Sequence, residues 1–130
     1  MENDKSKCQN DREKFKNDFK KRIYSWVLRL IKFIDRLPKN QSAQVIEKQL
    51  VRSGTSILAN YVEANSASSK KDFINFFTYS LKSANESKVW LALLKDTGQG
   101  DKNELEYLIS ELVEISNILA SSILTMKGRK

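Results

Sequence analysis

Few side chains of this 130-residue chain could carry out acid–base chemistry, because the sequence has no histidine and only one cysteine. Two glutamates, Glu63 and Glu86, lie in segments rich in small and aromatic residues, where two carboxyl groups could act as general acid and general base. The sequence offers no second motif to orient or activate such a pair, and catalytic sites usually need further supporting groups. We therefore predict that the protein has no catalytic residues and is not an enzyme.

Metal and nucleotide sites also lack their usual ligands. One cysteine and no histidine cannot form a zinc site, and the acidic residues lack the spacing of a calcium loop. The segment Gly98-Gln-Gly100 follows a predicted helix and lacks the Lys-Ser/Thr ending of a phosphate-binding loop, so we interpret it as a turn. Cys8 lies in a polar segment without an intramolecular partner, and we interpret it as structurally neutral. We predict no metal and no cofactor, and the sequence identifies no small-molecule substrate.

Charge is the strongest functional signal in the sequence. The net charge is +7, and residues 1–39 contain 12 basic and 6 acidic side chains. A basic face attracts phosphate backbones through a salt-sensitive, non-specific interaction, so we expect RNA, DNA or a nucleic-acid-handling protein as partner. The alternative is a solvated face that keeps the protein soluble. The candidate nucleic-acid-binding residues are Lys14, Lys21, Arg22, Arg29, Lys32 and Arg36.

The first predicted helix carries most of these basic residues. It should run from about Asp11 to Leu37, because Pro38 disfavours helical geometry in the residue before it. Its apolar side chains recur every three or four positions and form one broad core face. That face comprises Phe15, Phe19, Ile23, Trp26, Val27, Leu30, Phe33, Ile34 and Leu37. Because its aromatic side chains point to the core, we expect them to be poorly placed for stacking on bases.

The second predicted helix begins near Ser42, which we expect to be its N-cap, and ends near Ala64 or Asn65. Its interior contains Gly54, and a glycine there costs about 1 kcal/mol relative to alanine. This cost suggests that a neighbouring helix comes unusually close at Gly54.

Two further helices complete the predicted fold. The third is capped by Ser69 with Asp72 and runs to about Thr97, where Gly98 is placed as a left-handed C-cap. The fourth runs from about Lys102 to Met126 with a nearly seven-residue apolar repeat. Four helices joined by short loops favour an all-α, antiparallel up-down-up-down four-helix bundle.

The helices predict one bundle domain over residues 11–127, with a disordered polar tail at 1–10 and a basic tail at 128–130. The apolar runs are far shorter than the ~20 residues of a membrane span, and the polar start lacks a secretory signal. We therefore expect a cytoplasmic protein that does not enter a membrane.

A polar group of residues accompanies the glycine on the second helix. Glu86 of the third helix is flanked by aromatic residues, and a carboxylate in apolar surroundings needs a partner. We predict a partly buried Glu86 that accepts hydrogen bonds from the second helix; the alternative is a solvated glutamate at the bundle edge. The candidate donors are Arg52, Ser53, Ser56 and Asn60.

Two groups of apolar residues lie outside the predicted core. One is the strip Tyr24, Leu28 and Ile31 on the first helix, and the other comprises Tyr79, Trp90 and Leu93 on the third. Both would be exposed in an isolated bundle, and such surfaces usually find partners. Because the two differ, we expect a homo-oligomeric ring in which one surface meets the other on the next subunit.

The run from Arg52 to Ala64, with Asp72-Phe-Ile74, Ser80-Leu-Lys82, Asn85-Glu86 and Trp90-Leu-Ala-Leu-Leu94, resembles the bacterial four-helix-bundle family that includes proteins encoded in intervening sequences of 23S rRNA genes. A more distant resemblance is to the accessory proteins of diversity-generating retroelements, which partner a reverse transcriptase. The resemblance implies a small cytosolic bundle, commonly a ring of five subunits, with no established enzymatic activity for most members. The residues that carry it are Arg52, Ser53, Gly54, Ser56, Ile57, Asn60, Tyr61, Glu63 and Glu86; Leu58 stands where many relatives have glycine.

Two functions follow from these observations. The first is a non-catalytic oligomeric scaffold or binding protein whose basic surface contacts RNA, DNA or a nucleic-acid-handling protein. The second is a purely structural or protein-interaction bundle without a nucleic-acid role.

Overall fold

The chain folds into four α-helices. The structure is a computed structural model that describes residues 2–128, with the backbone alone for residues 2–8. Helix α1 spans Glu2–Asp35, α2 Gln41–Asn65, α3 Lys70–Asp96 and α4 Lys102–Gly128. No strand occurs among the residues that the structure describes. The predicted all-α class is therefore confirmed.

The helices pack in chain order around one core. Each helix contacts the next one in the sequence, and α1 closes the bundle against α4. The contact between α2 and α3 is the most extensive and that between α1 and α4 is the least. Short loops join antiparallel neighbours, so the up-down-up-down arrangement is confirmed.

The core consists mainly of the predicted apolar faces. Trp26, Leu30 and Tyr61 are almost fully buried, together with leucines and isoleucines from all four helices. Phe15 is the exception on α1, because 54% of it is exposed. Its assignment to the core was wrong. The Tyr61 hydroxyl donates to the Lys16 carbonyl, which places the end of α2 near Lys16. The N-terminal part of α1 extends beyond this point, so α2 does not cover Phe15.

Gly54 lies where α1 approaches α2 closely, as its position in the sequence predicted. A Cβ atom at this position would lie 2.5 Å from Leu30 Cδ2 and 3.5 Å from the Trp26 ring. Both of those side chains belong to the core of α1. The missing side chain therefore lets two large residues of α1 fill the space against α2.

The helix ends agree with the sequence in part. The N-cap of α3 is Ser69, which accepts a hydrogen bond from the Asp72 amide, and Gly98 has the predicted left-handed conformation at φ 70°. The N-cap of α2 is Asn40 and not Ser42: the Asn40 carboxamide accepts the Ala43 amide at 2.9 Å. Both residue types cap helices well, and the extended backbone of Asn40 decides between them.

Helix α1 differs most from its predicted limits. It begins at Glu2 and ends at Asp35, so residues 2–10, for which we expected a disordered tail, are helical. This segment contains no proline or glycine, and extending an existing helix avoids the cost of nucleation. The side chain of Cys8 lies outside the described residues, as do Met1 and residues 129–130 of the expected basic tail.

Helix α4 ends at Gly128, two residues after its predicted end. It is the one helix within residues 2–128 whose length and composition would allow it to cross a bilayer. A helix in the core of a bundle can be equally long and apolar, and one face of α4 is buried in the core of this bundle. Its buried apolar residues are Leu105, Leu108, Leu112, Ile115, Leu119 and Ile123.

Candidate nucleic-acid interface

Four of the six candidate nucleic-acid-binding residues form an exposed ridge along α1 and the turn that follows it. We call Lys14, Lys21, Lys32 and Arg36 the basic ridge: the three lysines fall within an arc of about 20° on α1, and Arg36 lies in the turn directly after the helix. Their side chains have no hydrogen-bond or ion-pair partner in the described part of the chain. From Lys14 to Lys32 the ridge extends along about 27 Å of helix, and Asp18 is the acidic residue on the same side of that segment.

The other two candidates, Arg22 and Arg29, are paired with acidic residues of α4. Arg22 Nε donates to Glu111 Oε1 at 2.9 Å, and its Nη2 contacts both Glu111 and Glu114. These hydrogen bonds raise the pKa of the Arg22 guanidinium. Arg22 is therefore part of the contact between α1 and α4, and its charge is largely offset there.

Arg29 makes a second connection between the same helices. Its Nε donates to Glu104 Oε1 at 2.6 Å, its Nη2 donates to Glu104 Oε2 at 3.1 Å, and its guanidinium carbon lies 3.5 Å from the centre of the Tyr107 ring. Hydrogen bonding to Glu104 raises the pKa of Arg29. The acidic partners were missed in the sequence, although Glu104, Glu111 and Glu114 share one side of α4.

Glu86 lies at the rim of the contact between α2 and α3. Its carboxylate accepts hydrogen bonds from the Arg52 guanidinium and from Trp90 Nε1, the latter at 2.9 Å. The Glu86 side chain is 35% exposed and that of Arg52 is 58% exposed. Among the four expected donors, Arg52 is the one that reaches Glu86 within the described residues. The structure thus combines features of both interpretations, a rim position and a specific pair of donors.

The other expected donors have partners other than Glu86: Ser53 and Ser56 bond to serines of α3, and Asn60 bonds to Ser56 within α2. Ser53 is fully buried and shares a 2.7 Å hydrogen bond with the Ser87 hydroxyl. The Ser83 hydroxyl donates to Ser56 Oγ at 2.9 Å, and Asn60 Nδ2 donates to both Ser56 oxygens at 2.9 Å. We call this row between α2 and α3 the hydroxyl seam. Sequence reasoning missed its half on α3, although Ser80, Ser83 and Ser87 recur there at helical spacing.

The two carboxylates considered for catalysis are not brought together. Glu63 is exposed on α2, and no hydrogen bond joins it to Glu86 among the described residues. Glu86 is already paired with Arg52 and Trp90. Within residues 2–128 no group of three His, Cys, Asp or Glu side chains is arranged to hold a metal ion.

Five of the six candidate interface residues are exposed large hydrophobic side chains. On α1 these are Tyr24, Leu28 and Ile31, and on α3 they are Tyr79 and Leu93. Trp90 is half-buried, since its indole nitrogen is engaged with Glu86. The two groups lie on different helices of the bundle.

Fold and site together define a small antiparallel four-helix bundle with a hydroxyl-lined contact between α2 and α3 and a basic ridge along α1 and the following turn, whose side chains have no partner among the described residues. The sequence profile of the family described as 23S rRNA-intervening sequence protein matches residues 16–121. The match covers most of the chain, so the protein belongs to this family. None of the curated proteins matches it.

A solved structure has the same fold. It is described as a protein with unknown function from the S23 ribosomal protein family from Bacteroides thetaiotaomicron VPI-5482, determined at 1.70 Å resolution. The sequence identity is 37%, the TM-score is 0.77, and the match covers 83% of this chain and 96% of that chain. The predicted family resemblance is therefore confirmed.

Proposed function

We propose that the protein is a non-catalytic cytoplasmic scaffold that binds RNA or DNA through the basic ridge of α1. The observation that carries this proposal is the lack of partners for Lys14, Lys21, Lys32 and Arg36 within the described residues. Unpaired exposed cations can displace the counterions of a phosphate backbone, whereas Arg22 and Arg29 are already paired.

Assembly would increase the field of the ridge. The exposed strip of α1 and the exposed residues of α3 are different surfaces, and contact between unlike surfaces can close a ring. We propose a homo-oligomer, and the family resemblance suggests five subunits. Sedimentation equilibrium should report a mass several times that of the 15.0 kDa chain, whereas a monomer at every concentration would contradict this assembly.

Charge substitution tests the nucleic-acid proposal. Replacing the four ridge residues with glutamine should weaken binding to a short DNA or RNA in fluorescence anisotropy. The slope of log K against log salt should become shallower by about 0.7 to 0.9 for each phosphate that the protein no longer neutralises.

A matched control keeps the total charge change constant. Four exposed lysines on the other helices, Lys48, Lys82, Lys102 and Lys127, can be replaced with glutamine instead. Their replacement should have a much smaller effect if the ridge is the binding surface. Equal effects of the two sets would indicate attraction to net charge alone and would contradict a defined interface.

A purely structural or protein-interaction role is the second candidate. The pairing of Arg22 and Arg29 favours it, because those two charges stabilise the bundle and are not available to a ligand. Absence of nucleic-acid binding at low salt, with the oligomer intact, would select this second function.

A further inference from the structure

A large cleft opens at the end of the bundle where α2 meets α3. It has a volume of about 680 Å³ and lies between the N-terminal half of α1, the end of α2, the beginning of α3 and the end of α4. Its lining is mostly apolar, and its size falls within the range of small-molecule sites, roughly 300 to 1,000 Å³. Neither the family match nor the related structure assigns it a role.

Four aromatic rings line the cleft in a connected row with Phe19. Phe15 stacks on Phe19 with ring centroids 6.0 Å apart, and Phe19 meets Tyr61 edge-on at 5.0 Å. Tyr61 contacts Phe77 at 5.6 Å, and Phe77 stacks on Phe73 at 4.6 Å. Phe15 is 54% exposed, so a planar ligand could reach its ring.

Two exposed basic residues of α1 lie at the mouth of this cleft. Arg12 and Lys16 lie seven residues before Phe19 and Ile23, so they continue the inward face of the helix. Within the described residues their side chains make no ion pair. Asp11 also lines the cleft, which leaves one net positive charge there.

Polar side chains of α2 and α4 complete the lining. Asn65, Asn117, Ser121 and Thr125 offer both donors and acceptors, and Asn65 Oδ1 is buried without a hydrogen-bond partner in the described structure. An alkyl chain would leave such groups unsatisfied. A planar heterocycle with polar edges would use both the rings and the hydrogen-bonding groups.

We propose that this cleft binds an unpaired nucleobase of single-stranded RNA or DNA, with the base stacked on Phe15 and the adjoining phosphates at Arg12 and Lys16. This inference rests on the proposed function and adds to it a preference for single strands. A base within a duplex is stacked and paired, so it cannot enter the cleft without leaving the helix. The ridge then binds backbone, while the cleft selects unpaired segments.

A fully abasic oligonucleotide tests this assignment. Fluorescence anisotropy is measured with a labelled single-stranded 12-mer, with a strand of the same length that lacks all of its bases, and with a duplex of equal length. The unaltered protein should bind the complete single strand at least about fivefold more tightly than the abasic strand, because each stacked base contributes appreciably to affinity. Phe15→Ala should remove most of that difference.

Tyr107→Ala is the matched control, since Tyr107 is an exposed aromatic residue of α4 that lies outside the cleft and outside the proposed subunit interface. It should leave the preference for bases unchanged, and thermal unfolding should show that both variants are folded. Equal binding of complete and abasic strands that still depends on the ridge would overturn the cleft and retain the proposed function. Absence of binding to every oligonucleotide would overturn both.

Discussion

The contact between α2 and α3 and the contact between α1 and α4 consist of different types of side chain. The first is a hydroxyl seam in which small, buried residues such as Ser53 and Ser87 let two helices approach closely. The second, which we call the ionic seam, combines the buried Trp26 with exposed pairs between Arg22, Arg29 and acidic residues of α4. The contact between α2 and α3 is the most extensive in the bundle, and the contact between α1 and α4 is the smallest.

The two contacts therefore differ in how many polar groups they leave at the surface of the bundle. Small hydroxyl-bearing side chains satisfy one another inside the protein, so the hydroxyl seam has little left to offer a ligand. At the ionic seam α1 makes only a small contact with α4, and charged side chains lie at the surface. The candidate ridge and the end cleft both involve α1, the helix on the looser side.

The largest loss of stability at the ionic seam should follow the removal of one large side chain. Trp26 is 2% exposed and donates from its indole nitrogen to the Leu108 carbonyl at 2.9 Å. Trp26→Ala should reduce the free energy of unfolding by about 3 to 5 kcal/mol, because it creates a cavity and removes a buried hydrogen bond. Trp26→Phe should cost less, since it retains much of the volume. Urea unfolding measures the stability of both variants. Equal losses would show that the hydrogen bond, and not the volume of the side chain, accounts for the contribution of Trp26.

The loop that joins α3 to α4 should be nearly as sensitive where it meets α1. Gly100 has φ 91°, and a Cβ atom there would lie 2.6 Å from the Phe33 ring and 2.9 Å from Leu37. Gly100→Ala should cost about 2 to 4 kcal/mol from backbone strain and overpacking together. Gly98→Ala is the control, because Gly98 also has positive φ but faces open space. Similar losses in thermal unfolding would show that the contact with α1 adds nothing.

At the hydroxyl seam, a larger side chain should reduce stability more than the loss of a hydroxyl group. Ser53→Val adds bulk at a fully buried position opposite Ser87 and should cost about 1 to 3 kcal/mol. Ser53→Ala should cost less, because the Ser87 hydroxyl keeps its hydrogen bond to the Ser83 carbonyl at 2.9 Å. Chemical denaturation distinguishes them, and a tolerated valine would mean that the helices are not closely packed here.

The exposed charges of the ionic seam should contribute least. Arg22→Gln should reduce stability by about 1 kcal/mol or less, since partly exposed ion pairs gain little in water. Most of that effect should disappear at high salt, which screens surface charges. Lys21→Gln, which alters an exposed unpaired neighbour, should leave the unfolding midpoint nearly unchanged. A large, salt-independent loss of stability for Arg22→Gln would place the pair in the core.

Helix phase explains how much of this arrangement the sequence could predict. The repeat of apolar residues predicted four helices and their inward faces, and Gly54 marked a close approach. Phase says nothing about how far one helix slides along another. The pairing of Arg22 with Glu111 joins residues 89 positions apart, and therefore could not be foreseen from a basic face alone.

The candidate site was harder to predict for a related reason. Phe15 has the phase of a core residue, but its burial depends on where α2 ends, a property of another segment. Glu86 has aromatic neighbours in the sequence, but its exposure depends on whether it lies at the centre or at the rim of the contact between α2 and α3. Local spacing determines the direction of a side chain, whereas its surroundings depend on non-local packing.

The unequal contacts between helices also imply an order of folding. Helices α2 and α3 share the largest contact across a short loop, so their association closes a small loop at low entropic cost. The hydrogen bond from Trp26 to Leu108 spans 82 positions and belongs to the weakest helix contact. We therefore expect α1 to join last and to open first in hydrogen exchange, which would expose the face of α4 before the other three helices separate.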